Sequence, residues 1–106
     1  MIHVEPIAIG PHTCVATVVE LPKTTLIAIS APEGYIMCGA LDVQLLNTRL
    51  SGRRIIAGRA VGVRSVQELL AAPLESVTDA AAAIGVTAGL SGREALRIMC
   101  ERTDGG

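Results

Sequence analysis

Cys38 is the residue whose type and position most favour chemistry. It ends a predicted strand and precedes Gly39 and a predicted helix, so its sulfur would lie near the free N–H groups of a helix start. Such surroundings favour the thiolate, which is the nucleophile and the metal ligand. Asp42 lies one helical turn further on, close enough to orient or protonate a bound group. The alternative is that Cys38 is a buried structural cysteine.

A basic stretch follows this junction. Eight of the nine cations are arginines, and no Asp or Glu occurs between Asp42 and Glu68. Arginine binds carboxylates and phosphates through parallel N–H donors. The stretch indicates either an anion site or a solvated basic edge. Its five arginines are Arg49, Arg53, Arg54, Arg59 and Arg64.

Arg59 and Arg64 have positions within this stretch that favour ligand contact. Arg59 interrupts the apolar run at residues 55–63. A guanidinium in a buried strand needs a partner, because an unpaired buried charge is costly. Asp42, Glu33 or a bound anion could supply it. Arg64 follows the strand, beside a predicted helix start of the kind that attracts anions.

Lys23 and Tyr35 complete the predicted ligand-binding set. Lys23 is the only lysine and lies in a turn with Thr24 and Thr25. It either binds an anion or remains an exposed turn residue. Tyr35 is the only aromatic residue, in the strand that leads to Cys38.

A metal site from His3, His12 and Cys14 is a third option. We expect the two histidines to face each other across the first hairpin, with Cys14 two residues on. The four-ligand spacing of structural zinc is missing, so the sequence predicts no metal and no cofactor. Three cysteines without paired spacing, together with an N-terminus that lacks a secretory signal, favour reduced thiols and a cytoplasmic location.

The composition predicts a packed core made almost entirely of aliphatic side chains. Half of the residues are hydrophobic, while aromatic residues make up 1%. Aliphatic side chains bury less area than aromatic ones, so we expect association between subunits to add burial. A net charge of −1 and a single tyrosine argue against nucleic-acid binding. No apolar run is long enough to span a membrane.

The order of elements predicts one α+β domain over residues 1–106. N-terminal β-hairpins feed a mixed sheet, one β-α-β crossover makes two strands parallel, and helices end the chain. The helix of the crossover is expected at residues 40–50. Strands are expected at residues 3–9, 12–21, 25–31, 35–38 and 55–63. Three helices are expected to begin with a capping box or a near relative of one, at Ser65, Ser76 and Ser91.

Within this domain we distinguish a β region at residues 1–22, an α/β body at residues 23–102 and a tail at residues 103–106 that should fray. The second strand is apolar on both faces, whereas a sheet with one solvated face alternates. One face can cover the domain's own core. The other favours contact with a second subunit.

Several stretches resemble one known family. They are LPKT at residues 21–24, GYIMCGALD at 34–42, AGRAVGV at 57–63, APLESVT at 72–78 and SGREAL at 91–96. In this order, across about residues 5–100, they resemble the YunC-like family of bacterial and archaeal proteins of unknown function. The resemblance implies a small α/β domain whose N-terminal β region mediates tetramerisation. It supplies no catalytic residues, and His12 and Cys14 lie outside its motifs.

Two functional hypotheses follow. The first is a homo-oligomer that binds a small anionic metabolite near Cys38, Asp42, Arg59 and Arg64, with Cys38 as nucleophile if a reaction takes place. It predicts an open pocket lined by Cys38 and Arg59. The second is a non-catalytic assembly or regulatory subunit that acts through its β interface and a protein partner. It predicts a filled junction at Cys38, with Arg59 paired to Asp42 or Glu33.

Overall fold

A six-stranded mixed sheet forms the frame of the protein. The structure, a computed structural model, describes residues 1–39 and 54–105, with side chains through residue 101. Its strands are β1 (Ile2–Ile9), β2 (His12–Leu21), β3 (Thr24–Ser30), β4 (Gly34–Met37), β5 (Ile56–Arg59) and β6 (Ser76–Val77). They lie in the order β1-β2-β3-β4-β5-β6, and neighbouring strands are antiparallel except for the parallel pair β4 and β5.

The predicted α+β class and mixed sheet are confirmed, as is the parallel pairing of the strands around the crossover. The crossover helix expected at residues 40–50 lies outside the described residues. Strand β1 is at the edge of the sheet, which suits Pro6 because proline cannot donate a ladder hydrogen bond. Strand β5 is shorter than predicted. Gly62, with φ +75, turns the chain soon after the strand ends.

Three helices follow in the described part of the second half. They are α1 (Val66–Ala71), α2 (Asp79–Ala83) and α3 (Gly92–Gly105). Ser65 caps α1 as predicted, because its hydroxyl accepts from the Glu68 N–H, and Ser91 accepts from the Glu94 N–H at the start of α3. Helix α3 continues into the residues predicted to fray, and fraying there stays a prediction.

The predicted helix start at Ser76 is wrong. Ser76 and Val77 form β6 against β5, and the Ser76 hydroxyl donates to Glu75. The cap is Thr78, whose Oγ1 accepts from the Ala81 N–H at 3.2 Å. Pairing with β5 therefore delays the helix by two residues, which a local capping pattern does not reveal.

The core lies between one face of the sheet and the helices. Helix α3 packs on β4, β1, β2 and α1, while α1 also contacts β3. The core is aliphatic, as the composition predicts. Its sheet side chains include Ile9, Ala16, Ile27, Ile29 and Ile36, and its helical ones include Leu69, Leu96 and Met99.

The opposite face of the N-terminal hairpin is apolar but exposed. Cys14 and Ala16 of β2 are buried, while Val15 between them is 44% exposed. On the neighbouring β1, Ile2 and Val4 are 67% and 65% exposed. Both faces of this hairpin therefore contain large apolar side chains, and only one of them contacts the core. No helix in the described ranges is both long and apolar enough to cross a membrane.

Candidate functional site

Cys38 lies directly after β4, where its side chain is buried and 6% exposed. Its N–H donates to the Ile27 carbonyl oxygen at 3.0 Å, and its Sγ accepts from the Ile27 N–H at 3.5 Å. The cysteine thus extends the pairing between β3 and β4. Asp42, its predicted catalytic companion, lies outside the described residues.

Arg59 ends β5 and pairs with Glu75. Its Nη1 lies 3.3 Å and 3.4 Å from the two carboxylate oxygens of Glu75, and the Ser76 hydroxyl donates to one of these oxygens at 2.9 Å. The Nε atom of Arg59 is buried and has no hydrogen-bond partner within the described part of the chain. The guanidinium lies beside Gly39, since a Cβ placed there would be 3.7 Å from Nη2.

The predicted pairing of Arg59 with Glu33 is wrong. Arg59 stands opposite Ser76 in the antiparallel pair of β5 and β6, so Glu75 lies beside it. Glu33 precedes β4, whose first residue pairs with Ile56 at the far end of β5. The direction of the strands therefore separates Glu33 from Arg59 by the length of β5. The other predicted partner, Asp42, is not among the described residues.

Lys23 and Arg64 meet in one pocket of about 480 Å³. Thr24, Thr25 and Val63 complete its described lining. These lining residues thus include two that carry a cation and two that carry a hydroxyl group, and none that carries a carboxylate. Both cations are exposed, so the pocket is open to solvent and its attraction for anions will be screened by salt.

The sheet positions this pocket at the carboxyl end of the parallel strand pair. Arg64 follows β5 through the turn at Gly62. Thr25 lies on β3 beyond the end of β4, because Ala28 of β3 pairs with Met37 at that end. Ligands of open α/β sheets bind outside the carboxyl ends of parallel strands, and the Lys23–Arg64 pocket has this location.

The backbone on both sides of the pocket is held in place. Lys23 has φ 65 in the turn between β2 and β3. This is a left-handed backbone conformation that residues other than glycine adopt less often. The Arg64 N–H donates to Glu68 Oε1 at 2.7 Å, while Ser65 accepts from the Glu68 N–H. The Ser65 cap and the hydrogen bond from the Arg64 N–H to Glu68 together fix the approach of Arg64 to the pocket.

Tyr35 lies apart from this group of residues. It lines a separate surface pocket of about 380 Å³ together with Glu33, Arg54 and neighbouring residues. That pocket lies at the amino end of β4. The structure thus brings Lys23 and Arg64 together, places Cys38 and Arg59 near Gly39, and puts Tyr35 at the other end of the strand.

The predicted meeting of His3 and His12 across the first hairpin is wrong. His3 pairs with Val18, while His12 pairs with Ile9. The register separates the two histidines by six positions along β2, or roughly 20 Å at the rise of a strand. His3 Nε2 lies instead 3.8 Å from a carboxylate oxygen of Glu20. Among the described residues, no group of three potential ligands could hold a metal ion.

Sequence reasoning missed Glu75 and Thr78. Glu75 directly precedes β6, and no local pattern in the sequence indicates that its carboxylate pairs with Arg59. Thr78 is 2% exposed, and its hydroxyl bridges β5 to α2. Helical spacing, with a serine and an acid three positions apart, favoured Ser76 instead.

The fold and the pocket define a small α+β protein with an open cationic pocket beside a parallel strand pair. Comparisons with known proteins agree on the fold and leave the activity open. Residues 37–99 match the model of the domain of unknown function DUF1805. The chain is 56% identical to the uncharacterized protein YunC of Bacillus subtilis (strain 168), over 93% of this chain and 98% of that protein. A crystal structure of a protein of unknown function from Thermoplasma acidophilum is also similar, with a TM-score of 0.79, 25% identity, and coverage of 96% of this chain and 92% of that one.

The chain therefore belongs to the DUF1805 family, and the resemblance found in its sequence motifs is confirmed.

Proposed function

We propose that the protein binds a small anionic metabolite in the Lys23–Arg64 pocket. The observation that supports this proposal is the convergence of both cations and the hydroxyl groups of Thr24 and Thr25 on one pocket. Arginine offers a planar pair of N–H donors, lysine offers a compact charge, and hydroxyl groups donate a further hydrogen bond. Together they match a carboxylate or phosphate group.

The proposal differs in position from the hypothesis based on sequence. Arg59 is engaged by Glu75, and the sulfur of Cys38 is buried within the β3–β4 pairing. We therefore assign neither residue a direct contact with the anion and assign no catalytic step to Cys38. A role for Asp42 stays a prediction.

The test is isothermal titration of the purified protein with inorganic phosphate and with citrate at low ionic strength. Each cation of the pocket is then neutralised in turn. Arg64→Gln removes the charge while keeping a polar side chain, and Lys23→Asn suits the left-handed backbone of the turn. Hydrogen bonds to charged groups contribute about 1.5–3 kcal/mol, so each variant should weaken binding roughly tenfold or more.

Arg93→Gln is the matched control. Arg93 is also exposed, and the substitution removes the same charge outside the Lys23–Arg64 pocket. It should change the affinity only through the net charge, and this effect should vanish as salt is added. The proposal fails if neither anion binds, or if Arg64→Gln and Arg93→Gln have equal effects.

A second candidate function is assembly into a homo-oligomer through the N-terminal hairpin. The observation in its favour is the exposed apolar face of β1 and β2, which includes Ile2, Val4, Val15 and Leu21. Large contiguous apolar surfaces mark sites of protein–protein interaction. The sequence resemblance implies a tetramer, and this face is a suitable surface for it.

Val4→Lys tests this second function. It introduces a charge on the apolar face, so it should reduce the mass measured by light scattering after gel filtration. The control is Glu5→Lys on the same strand, since successive strand residues point to opposite faces and Glu5 is also exposed. An unchanged mass for Val4→Lys, or a monomeric wild-type protein, would contradict the assembly.

A further inference from the structure

Two buried thiols, Cys14 and Cys100, are in contact with each other. Cys14 lies on β2 and Cys100 on α3, and their Sγ atoms are 3.5 Å apart across 86 positions of the chain. Their exposures are 1% and 2%. The third cysteine, Cys38, contacts the backbone of β3 instead. Neither proposed function uses this sulfur pair.

The pair joins the N-terminal hairpin to the last helix. Helix α3 packs on β1 and β2, and Cys14 is the β2 position opposite Ile7. Since the two sulfurs already point at each other, a bond between them requires an approach of roughly 1.5 Å to reach the usual S–S length.

We propose that Cys14 and Cys100 form a site of reversible oxidation, which a two-electron oxidant such as hydrogen peroxide converts into an intramolecular disulfide. In the first step one sulfur attacks a peroxide oxygen, the O–O bond breaks, and a sulfenic acid and water are formed. The second sulfur then attacks the sulfenic sulfur. The S–S bond forms, the S–O bond breaks, and a second water leaves with the remaining thiol proton. Both sulfurs are oxidised, and the peroxide is reduced to two waters.

The protein surroundings make this reaction slow rather than immediate. Burial, followed by the hydrogen bond and the charge of Cys100, raises the pKa of Cys14 to about 12. The thiolate is the reactive form, so little of it is present at neutral pH. The pair therefore stays reduced under brief exposure and reacts during sustained oxidation. The product would tie the hairpin of the edge strand to the body of the domain.

The test is a peptide map of the folded wild-type protein after prolonged incubation with excess hydrogen peroxide. We expect the disulfide to remove two hydrogens from the mass, apart from any oxygen atoms added to methionines such as the exposed Met1. The thiols that maleimide labels after denaturation should fall from three to one. Trypsin should release residues 1–23 linked to residues 98–102, and a thiol reductant should separate them. Cleavage after Lys23, Arg97 and Arg102 gives these peptides.

Two variants complete the design. Cys38→Ala should keep the linked peptides, while Cys14→Ala should lose them. If Cys14→Ala does not fold, the wild-type map decides alone. The proposal is overturned if the crosslink involves Cys38, if it joins two chains, if it appears only in urea, or if all three thiols remain after the incubation.

Discussion

Gly92 is the position where one methyl group should disturb the fold most clearly. It begins α3 and lies against the backbone of Leu69 in α1. A Cβ at Gly92 would overlap the backbone oxygen of Leu69, and it would lie 2.8 Å from Ile36 Cδ1. Overpacking usually costs about 1–3 kcal/mol. Because a backbone oxygen cannot rotate away, we expect about 3 kcal/mol for Gly92→Ala.

The preference of alanine for helices offsets part of this cost, by up to about 1 kcal/mol. The net loss in the free energy of unfolding is then about 2 kcal/mol. For a domain of this size it corresponds to a Tm lower by roughly 8–16 °C. Differential scanning calorimetry measures the shift, and urea unfolding provides an independent value of the free energy.

The matched control for this prediction is Gly39→Ala. A Cβ at Gly39 would lie 3.6 Å from its nearest neighbour, Val61 Cγ1, which is an ordinary contact. Its Tm should stay close to that of the wild type. The reasoning is refuted if Gly92→Ala melts within roughly 3 °C of Gly39→Ala, because α1 and α3 would then have separated without a measurable cost.

Two further predictions concern buried polar groups. Thr78 Oγ1 accepts from the N–H groups of Ala57 and Ala81 and donates to the Ile55 carbonyl oxygen at 2.6 Å. Thr78→Val should therefore lower the free energy of unfolding, measured by urea titration, by about 3 kcal/mol. Thr78→Ser keeps the hydroxyl and should retain most of the stability. Equal free energies of unfolding for the two variants would contradict the bridging role. The pKa of Cys14 rises from 9.0 to about 12 on folding. Above pH 9 the unfolded chain therefore loses this proton while the folded chain keeps it. The free energy of unfolding then falls by up to about 1.4 kcal/mol per pH unit. Cys14→Ala should remove this dependence of stability on pH. The same slope in the wild type and in Cys14→Ala would disprove the raised pKa of Cys14.

Local sequence patterns predicted most of the elements in the described ranges. Strand-forming runs separated by turns predicted the hairpins, and the apolar run that contains Ala57 and Gly58 predicted a further strand. Ser65 and Ser91 were identified as caps because their partners lie three residues away. Each of these features depends on neighbours in the chain, so composition and spacing contain the necessary information.

The predictions of residue partners that failed concern contacts between distant residues. The register of β1 on β2 decided that His3 meets Val18 instead of His12. The antiparallel pairing of β6 with β5 placed Glu75 beside Arg59. A shift of one residue in either pairing would turn these side chains to the opposite face. No local pattern fixes that choice.

The sequence by itself determined an aliphatic α+β domain, its family and a set of candidate ligand-binding residues. Tertiary structure decided which of these residues meet. It placed Lys23 with Arg64, it separated Tyr35 from both, and it brought Cys14 to Cys100 across 86 positions. The physical reason is that the order and register of the strands set such distances, and both emerge only when the whole sheet packs against its helices.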